Sequence, residues 1–523
     1  MSSTAYGTQG QNDPWNREYS RRHATQSQAD DLQDMLPHSF LFGHLIEIGK
    51  VMAKGTLPPK AHSHWLPLLF LEEYPELAKK GVMYLHVWPI TQPLLSLYHP
   101  ELIGQVTRSN YPKAEFMYLE MEPVTGSKDL LTLEGQEWKR ASTVFNPGFS
   151  AKNLLSLVPG FVREIKPFRQ QLSAASGTGE IVKLEEWTTK LAVDVIGRAV
   201  LGTSLNAQTD GSPLVGTMLA QIPLLYNQLD LYKALSPIRY IKLRLYRRRF
   251  AQLTKCYIDH ALREENSRTV KTKTVLRLAL REHSNEKGDH ASFFKQFIPH
   301  FWMFLFAGHD ITAITLAFAF YMLSCNPEKA AIVREEHNRV LGLALAGAAE
   351  RFIANPTLVN QLPYTMAVFK ETLRLWAPVA GGVRQTLPNH FLVHPETGEC
   401  LPTHGWMVNN NAAVMQRLEG YWPQPNKFIP ERWLVGPDDP LYPRKGTFRP
   451  FEAGHRNCIG QELVSIEVRL VLALTMREFQ VEAAYPNDSP TFLGEKAYSV
   501  EMPENVATAH AKDGMPVRIQ ALT

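Results

Sequence analysis

Phe451-Glu-Ala-Gly-His-Arg-Asn-Cys-Ile-Gly460 is the stretch on which the reading of this chain turns. Phe451, Gly454, Arg456, Cys458 and Gly460 stand at the spacing F-x-x-G-x-R-x-C-x-G. From Ile459 onward, Leu463, Ile466, Leu470 and Leu474 recur at steps of three and four, which predicts an amphipathic helix. A lone thiolate needs N–H groups and positive charge around it. Glycines on both sides let the backbone turn tightly and present its N–H groups to the sulfur. The helix that starts beside the cysteine favours an anion at its N-terminal end. Arg456, two residues before the cysteine, is placed to pair with a carboxylate of a bound cofactor. A single cysteine so arranged suits an axial haem ligand, because haem takes one protein ligand on its proximal side. Zinc would need three or four. The bland alternative is an ordinary buried cysteine at a helix start. Five fixed positions, one a rare cysteine, coincide by chance at roughly 10⁻⁴ from average composition, so the haem-thiolate reading is preferred.

The surrounding chain sets few limits. Its 523 residues carry 55 Lys+Arg against 51 Asp+Glu, with 44% hydrophobic and 20% charged residues. These are globular values, which exclude disorder, collagen and coiled coil as descriptions of the whole. A net charge of +4 is too small to argue for nucleic acid. Cys256, Cys325, Cys400 and Cys458 form no CxxC pair, which argues against a disulfide framework or structural zinc and fits a reducing compartment. Residues 1–36 are polar throughout; a disordered or loosely docked tail is expected, without signal peptide or anchor. The most apolar stretch, Ile298 to Cys325, is long enough to span a bilayer. It holds His300, His309 and Asp310 as well as Thr312, Thr315 and Ser324, so a buried central helix is the better reading.

Helical periodicity dominates elsewhere, as in Ile181 to Leu201, where Leu184, Trp187, Leu191 and Val195 share a face. Val82 to Val87 reads as a strand paired with LLSLY beyond a Pro-marked turn. Phe391 to His394 and Glu399 to Leu401 flank a Pro-Glu-Thr-Gly hairpin signal. No composition break divides the chain. The expectation is a mostly α architecture with a minor β part, in one large domain over residues 37–523. Arg239 to Arg249 holds six basic residues in eleven positions. It reads first as a solvated helix face. Membrane-surface contact through Ile241, Leu243, Leu245 and Tyr246 comes second, and nucleic-acid contact is a distant third.

The cysteine loop resembles the haem-binding signature of the cytochrome P450 superfamily. Three further segments agree in order and spacing. Lys370-Glu-Thr-Leu-Arg374 resembles the family's E-x-x-R pair, with Arg432 in Pro430-Glu-Arg-Trp433 as third member. The resemblance gives Glu371, Arg374 and Arg432 a structural role, as one buried charge network near the cysteine loop. Ala307-Gly-His-Asp-Ile-Thr312 resembles the distal-helix motif A-G-x-D-T-T, in which Asp310 takes part in proton delivery and Gly308 leaves room over a haem face. Here Ile311 replaces the hydroxyl residue after the acid. Thr312 keeps the next hydroxyl, one helical step of about 100° away. Two readings of it stand: it reaches bound oxygen, or it bonds only its own helix backbone. Gly135 to Thr143 resembles the W-x-x-x-R helix whose Trp and Arg bind haem propionates. Trp138 is present, as a propionate contact or as core, while Ser142 stands at the Arg position. Arg384 also matches a propionate contact, and Phe451 and Arg456 join the cofactor-binding set.

The wording of the chain, such as HSFLFGHLIEIGK and FNPGFS, resembles fungal members of secondary metabolism. The resemblance implies a monooxygenase fold and a haem iron held by Cys458. It implies insertion of one oxygen atom from O₂ into an apolar small molecule, with electrons from NADPH through a separate reductase. A monomer with no nucleic-acid partner is expected. The family's usual place is intracellular, at the endoplasmic-reticulum surface; a soluble chain, a peripherally bound one and one that is missing its anchor all stay open. Two rivals are retained: an enzyme of the same fold that rearranges or dehydrates its substrate without activating dioxygen, and a non-catalytic haem sensor or carrier.

Overall fold

The computed structural model describes residues 36–522, apart from 40, 55–56, 88–91, 226–234, 267–272, 286–289 and 503–504. The expected polar tail therefore lies outside the described residues, save Leu36, which is already packed in the core. Five helices position the site: α1 (Gly135–Phe149), α2 (Leu184–Leu201), α3 (His290–Cys325), α4 (Pro363–Leu375) and α5 (Gln461–Thr475). The architecture is mostly helical with minor strands, as expected.

The apolar stretch is the axis of the core. α3 is apolar all round, and from Ala313 to Leu323 nearly every side chain is inaccessible. It is the one described helix long and apolar enough to cross a membrane, and 83% of its most apolar window is buried by protein. α2 crosses it closely. Thr188 Oγ1 donates to the Ala313 carbonyl at 3.0 Å. A Cβ at Gly308 would lie 2.8 Å from Ile196 Cγ1. The missing side chain of Gly308 thus serves helix approach, a different use from the room over a haem face that the motif suggests.

The minor β part includes a four-stranded sheet of β1 (Val82–Leu85), β2 (Leu94–Leu97), β3 (Gly381–Gln385) and β4 (Met407–Asn411), in the order β1-β2-β4-β3. β1 and β2 are the expected antiparallel pair. β2 runs parallel to β4, and β4 antiparallel to β3. The strands Phe391–Val393 and Cys400–Pro402 make the expected small hairpin. A later hairpin, β5 (Ser499–Met502) and β6 (Asn505–Ala511), packs β6 against α3.

Glu371, Arg374 and Arg432 have no accessible surface and meet in one place. Their spacing on α4 puts Glu371 and Arg374 on the same face. Arg374 grips the carboxylate through two parallel bonds, Nε to Oε2 at 2.9 Å and Nη2 to Oε1 at 2.7 Å. Arg432 Nε adds a bond at 3.0 Å, and the Trp433 indole and the Ile429 N–H complete the shell. The outer edge of Arg374 donates to the carbonyls of Gln416, Pro425 and Lys427. The trio therefore fastens α4 to the irregular chain that leads into the cysteine loop.

Removing the carboxylate would leave two guanidiniums buried beside each other. Glu371→Ala should cost about 3–5 kcal/mol, a large part of a typical folding free energy. The measurement is the yield of folded, haem-loaded protein, which should collapse. Normal yield and melting temperature for this variant would count against the network.

Candidate active site at Cys458

The cysteine loop ends at the start of α5. Gly454 has φ +74°, and a Cβ there would stand 2.6 Å from Thr107 Cγ2, so both turn and packing require glycine. The Cys458 N–H donates to the Phe451 carbonyl at 2.9 Å, which closes the loop. The Phe451 ring lies 6.2 Å from that of Phe369 on α4. The sulfur accepts from the backbone N–H groups of Gly460 and Gln461. Burial pushes the thiol pKa up, and those two N–H groups pull it down. Cys458 is nevertheless accessible to solvent. The other three cysteines are free thiols as well.

A second opening lies on α3. Residues 301–306 of this helix are buried, but Ala307 is exposed, and Gly308 and Ile311 are partly so. Ala307 and Ile311 are four apart and share a face. Thr312 is buried, one step round the helix. Asp310 is also buried, and its Oδ2 accepts the Thr508 hydroxyl from β6. The side chain presented beside Ala307 is thus the apolar Ile311.

A third feature is a cluster of cations. The Arg456 guanidinium lies over the Trp138 ring at 4.5 Å and donates to the Leu131 carbonyl at 3.1 Å. Its Nη1 is buried without a hydrogen-bond partner. Arg384 on β3 is buried and forms a backbone bridge with Lys113. Burial, then the charges of Arg384 and Arg456, bring Lys113 down to about 7. Burial likewise lowers Arg456 to about 10, against the opposing pull of Glu134. Glu452, in a left-handed conformation, takes hydrogen bonds from Arg449 and Asn410.

These features fit a haem. An accessible thiol beside two N–H donors suits an axial ligand, and the exposed Ala307 with Ile311 offers an apolar face to a flat macrocycle. Buried cations with an orphaned N–H suit its propionates. Trp138, Arg384, Arg456, Phe451 and Cys458 are brought together around this region. Ser142 does not replace the family's arginine, since it is buried and accepts from Asn146. Lys139 and Arg140 on the same helix are exposed. Lys113 was not legible as a site residue. It reaches the cluster only because its segment pairs with β3, and nothing in Tyr111-Pro-Lys113 marks that pairing.

Comparisons with known proteins agree. The family model described as Cytochrome P450 matches residues 59–507. The cytochrome P450 monooxygenase polC of Polytolypa hystricis is 33% identical over 507 residues, covering 93% of this chain and 89% of its own. The cytochrome P450 monooxygenase acrF of Aspergillus aculeatus is 30% identical over 480 residues, covering 85% of this chain and 95% of its own. Among solved structures, the haem domain of cytochrome P450DA superposes with a TM-score of 0.71 at 19% identity, covering 93% of this chain and 96% of that one. Family, relatives and fold converge with the geometry of the cysteine loop, and the chain belongs to the cytochrome P450 family, whose members are haem-thiolate enzymes.

Proposed function

We propose that Cys458 ligates the haem iron and that this monooxygenase inserts one oxygen atom into an apolar small molecule of fungal secondary metabolism. Electrons come from NADPH through a separate reductase. The observation that carries the reading is the accessible Cys458 at the start of α5, its sulfur beside the backbone N–H groups of Gly460 and Gln461. Bound there, haem supplies dioxygen activation, favoured by electron donation from the thiolate. The chain's own side chains then divide the work. Gly460 and Gln461 stabilise the thiolate through their N–H groups. Arg384, Arg456 and Trp138 hold the propionate edge, and Lys113 joins them in place of the arginine that Ser142 lacks. Asp310 carries protons toward the accessible face of α3. Thr312 is buried one helical step on and offers the next hydroxyl, either to oxygen chemistry or to its own helix backbone.

One observation favours a second reading. Ile311 puts a hydrocarbon where the family's pattern has a hydroxyl, and rearrangement or dehydration of an oxygenated substrate needs no such relay. Incorporation of labelled O₂ into product separates the two. Peripheral membrane contact remains part of the proposal. Of the four apolar residues expected there, Ile241 and Leu245 are exposed, Tyr246 is half-buried and Leu243 is buried in the core; Ile238 joins the exposed pair beside Lys242, Arg244 and Arg248 on the helix Pro237–Asn266.

Two outcomes are expected. Reduced protein with carbon monoxide should show the red-shifted Soret band of a thiolate-ligated haem. Cys458→Ala should abolish that band, while Cys256→Ala, Cys325→Ala and Cys400→Ala keep it; a band that survives in Cys458→Ala sinks the assignment. The second concerns Lys113, whose folded pKa lies at about 7 against an ordinary 10.5. Between those values the folded haem-free chain binds fewer protons here than the unfolded one, so this position costs stability at pH 7 and less as pH rises to 10. Lys113→Met should stabilise haem-free protein at pH 7, with a gain that shrinks toward pH 10. It should also speed haem transfer to an acceptor protein. Unchanged haem retention would remove Lys113 from the set.

A further inference from the structure

β6 crosses α3 at Asp310, and strand alternation puts Thr508 and His510 on one face of β6. Three hydrogen bonds run in series from there. Thr508 Oγ1 donates to Asp310 Oδ2 at 2.5 Å. Thr508 Oγ1 and His510 Nε2 are 3.2 Å apart. His510 Nδ1 and Glu185 Oε1, in the first turn of α2, are 2.5 Å apart. The second oxygen of Glu185 accepts the Ala511 N–H at 2.9 Å. The series links the helix that faces the haem region to a carboxylate two elements away. Its members are buried or nearly so, with the His510 side chain 13% and that of Glu185 11% accessible.

One proton arrangement lets every member of the series act. Thr508 gives its hydroxyl proton to Asp310, and His510 Nε2, as a donor, gives one to the Thr508 oxygen. Glu185 as a carboxylate takes the one on Nδ1. The series is complete when the imidazole carries both protons, between two carboxylates; Nε2 is also 3.7 Å from Asp310 Oδ2.

We propose that Glu185, His510 and Thr508 form the proton supply of Asp310, an inference that rests on the monooxygenase reading above. In one step the Thr508 hydroxyl proton passes to Asp310 Oδ2, and the His510 Nε2 proton replaces it on Thr508. The imidazole is left neutral, with its other proton toward Glu185. A solvent proton taken up at the accessible edge of His510 and Glu185 restores the starting state, so each cycle moves one proton inward. Such a supply makes up for Ile311, which brings no hydroxyl of its own. Thr508, His510 and Glu185 are positioning residues, since only Asp310 approaches the reacting centre.

Thr508→Val keeps the shape and breaks the series, and Thr508→Ser keeps the hydroxyl. The haem-loaded full chain with a reductase and NADPH is measured with dioxygen as the probe, in H₂O and D₂O. Thr508→Val should retain the carbon-monoxide band and lower dioxygen consumption on the order of 10²-fold, the lower end for a positioned proton donor. Its solvent isotope effect should rise, and Thr508→Ser should return both toward wild type. A contact that only braces the hairpin would lower the melting temperature and leave the isotope effect unmoved. A readout independent of turnover is the ¹⁵N spectrum of histidine-labelled, carbon-monoxide-bound protein. It should show both His510 nitrogens protonated in wild type, with the Nε2 signal altered in Thr508→Val. The relay is overturned if Thr508→Val matches wild type in rate and isotope effect, or if wild-type His510 Nε2 carries no proton. Wild-type protein that accepts electrons yet consumes no dioxygen would overturn the monooxygenase reading and the relay together.

Discussion

A carboxylate with no accessible surface must be matched by charge and by hydrogen bonds, and Glu371 is matched on every side. Five donors reach its two oxygens, from Arg374, Arg432, Trp433 and the Ile429 backbone. Everything near the cysteine depends on that match. Residues 416–433 have little regular structure of their own, yet their carbonyls are held by the same guanidiniums that hold the carboxylate. A second cation repeats the device: Arg417 lies 4.7 Å over Trp376 and 5.5 Å over Trp65, and donates to the Leu375 carbonyl. Burial lowers its pKa well below the ordinary value, and Phe318 of α3 stacks on the Trp376 ring at 5.2 Å. An irregular segment is thus made as rigid as a helix by charge rather than by ladder hydrogen bonds.

The same economy of charge runs the other way at the cofactor edge. Lys113, Arg384 and Arg456 are brought together with less compensation than Glu371 enjoys. Burial lowers the pKa of all three, and an anion bound beside them would offset that cost.

How much of this was legible in the sequence follows from range. The cysteine loop, the Glu371–Arg374 pair, the central helix and both short hairpins are local patterns, and each stands where the pattern puts it. What stayed hidden depends on tertiary pairing. Lys113 belongs to the site because of one bridge to β3. Asp310 is legible as an acid in an apolar helix, which is a local oddity. Its partners Thr508, His510 and Glu185 are ordinary residues in their own segments, and no period or spacing connects them. The motif offers Gly308 as room above a macrocycle, and a Cβ there would meet Ile196 of the neighbouring helix. Motif spacing names the residue, and only packing tells which way it faces.

The hairpin β5–β6 also bears on the order in which the molecule can be assembled during synthesis. Thr508 meets a partner 198 positions earlier and His510 one 325 positions earlier. The same hairpin pairs Val500 with Ala61, and the Tyr498 hydroxyl donates to the Pro59 carbonyl across 439 positions. A nascent chain that has already released α2, α3 and the cysteine loop from the ribosome still lacks the strand that joins early segments to late ones. Long-range closures of this kind are made slowly and late. Until Thr508 and His510 emerge, Asp310 lacks the hydroxyl it accepts from, and Glu185 lacks the imidazole and the Ala511 N–H that it holds.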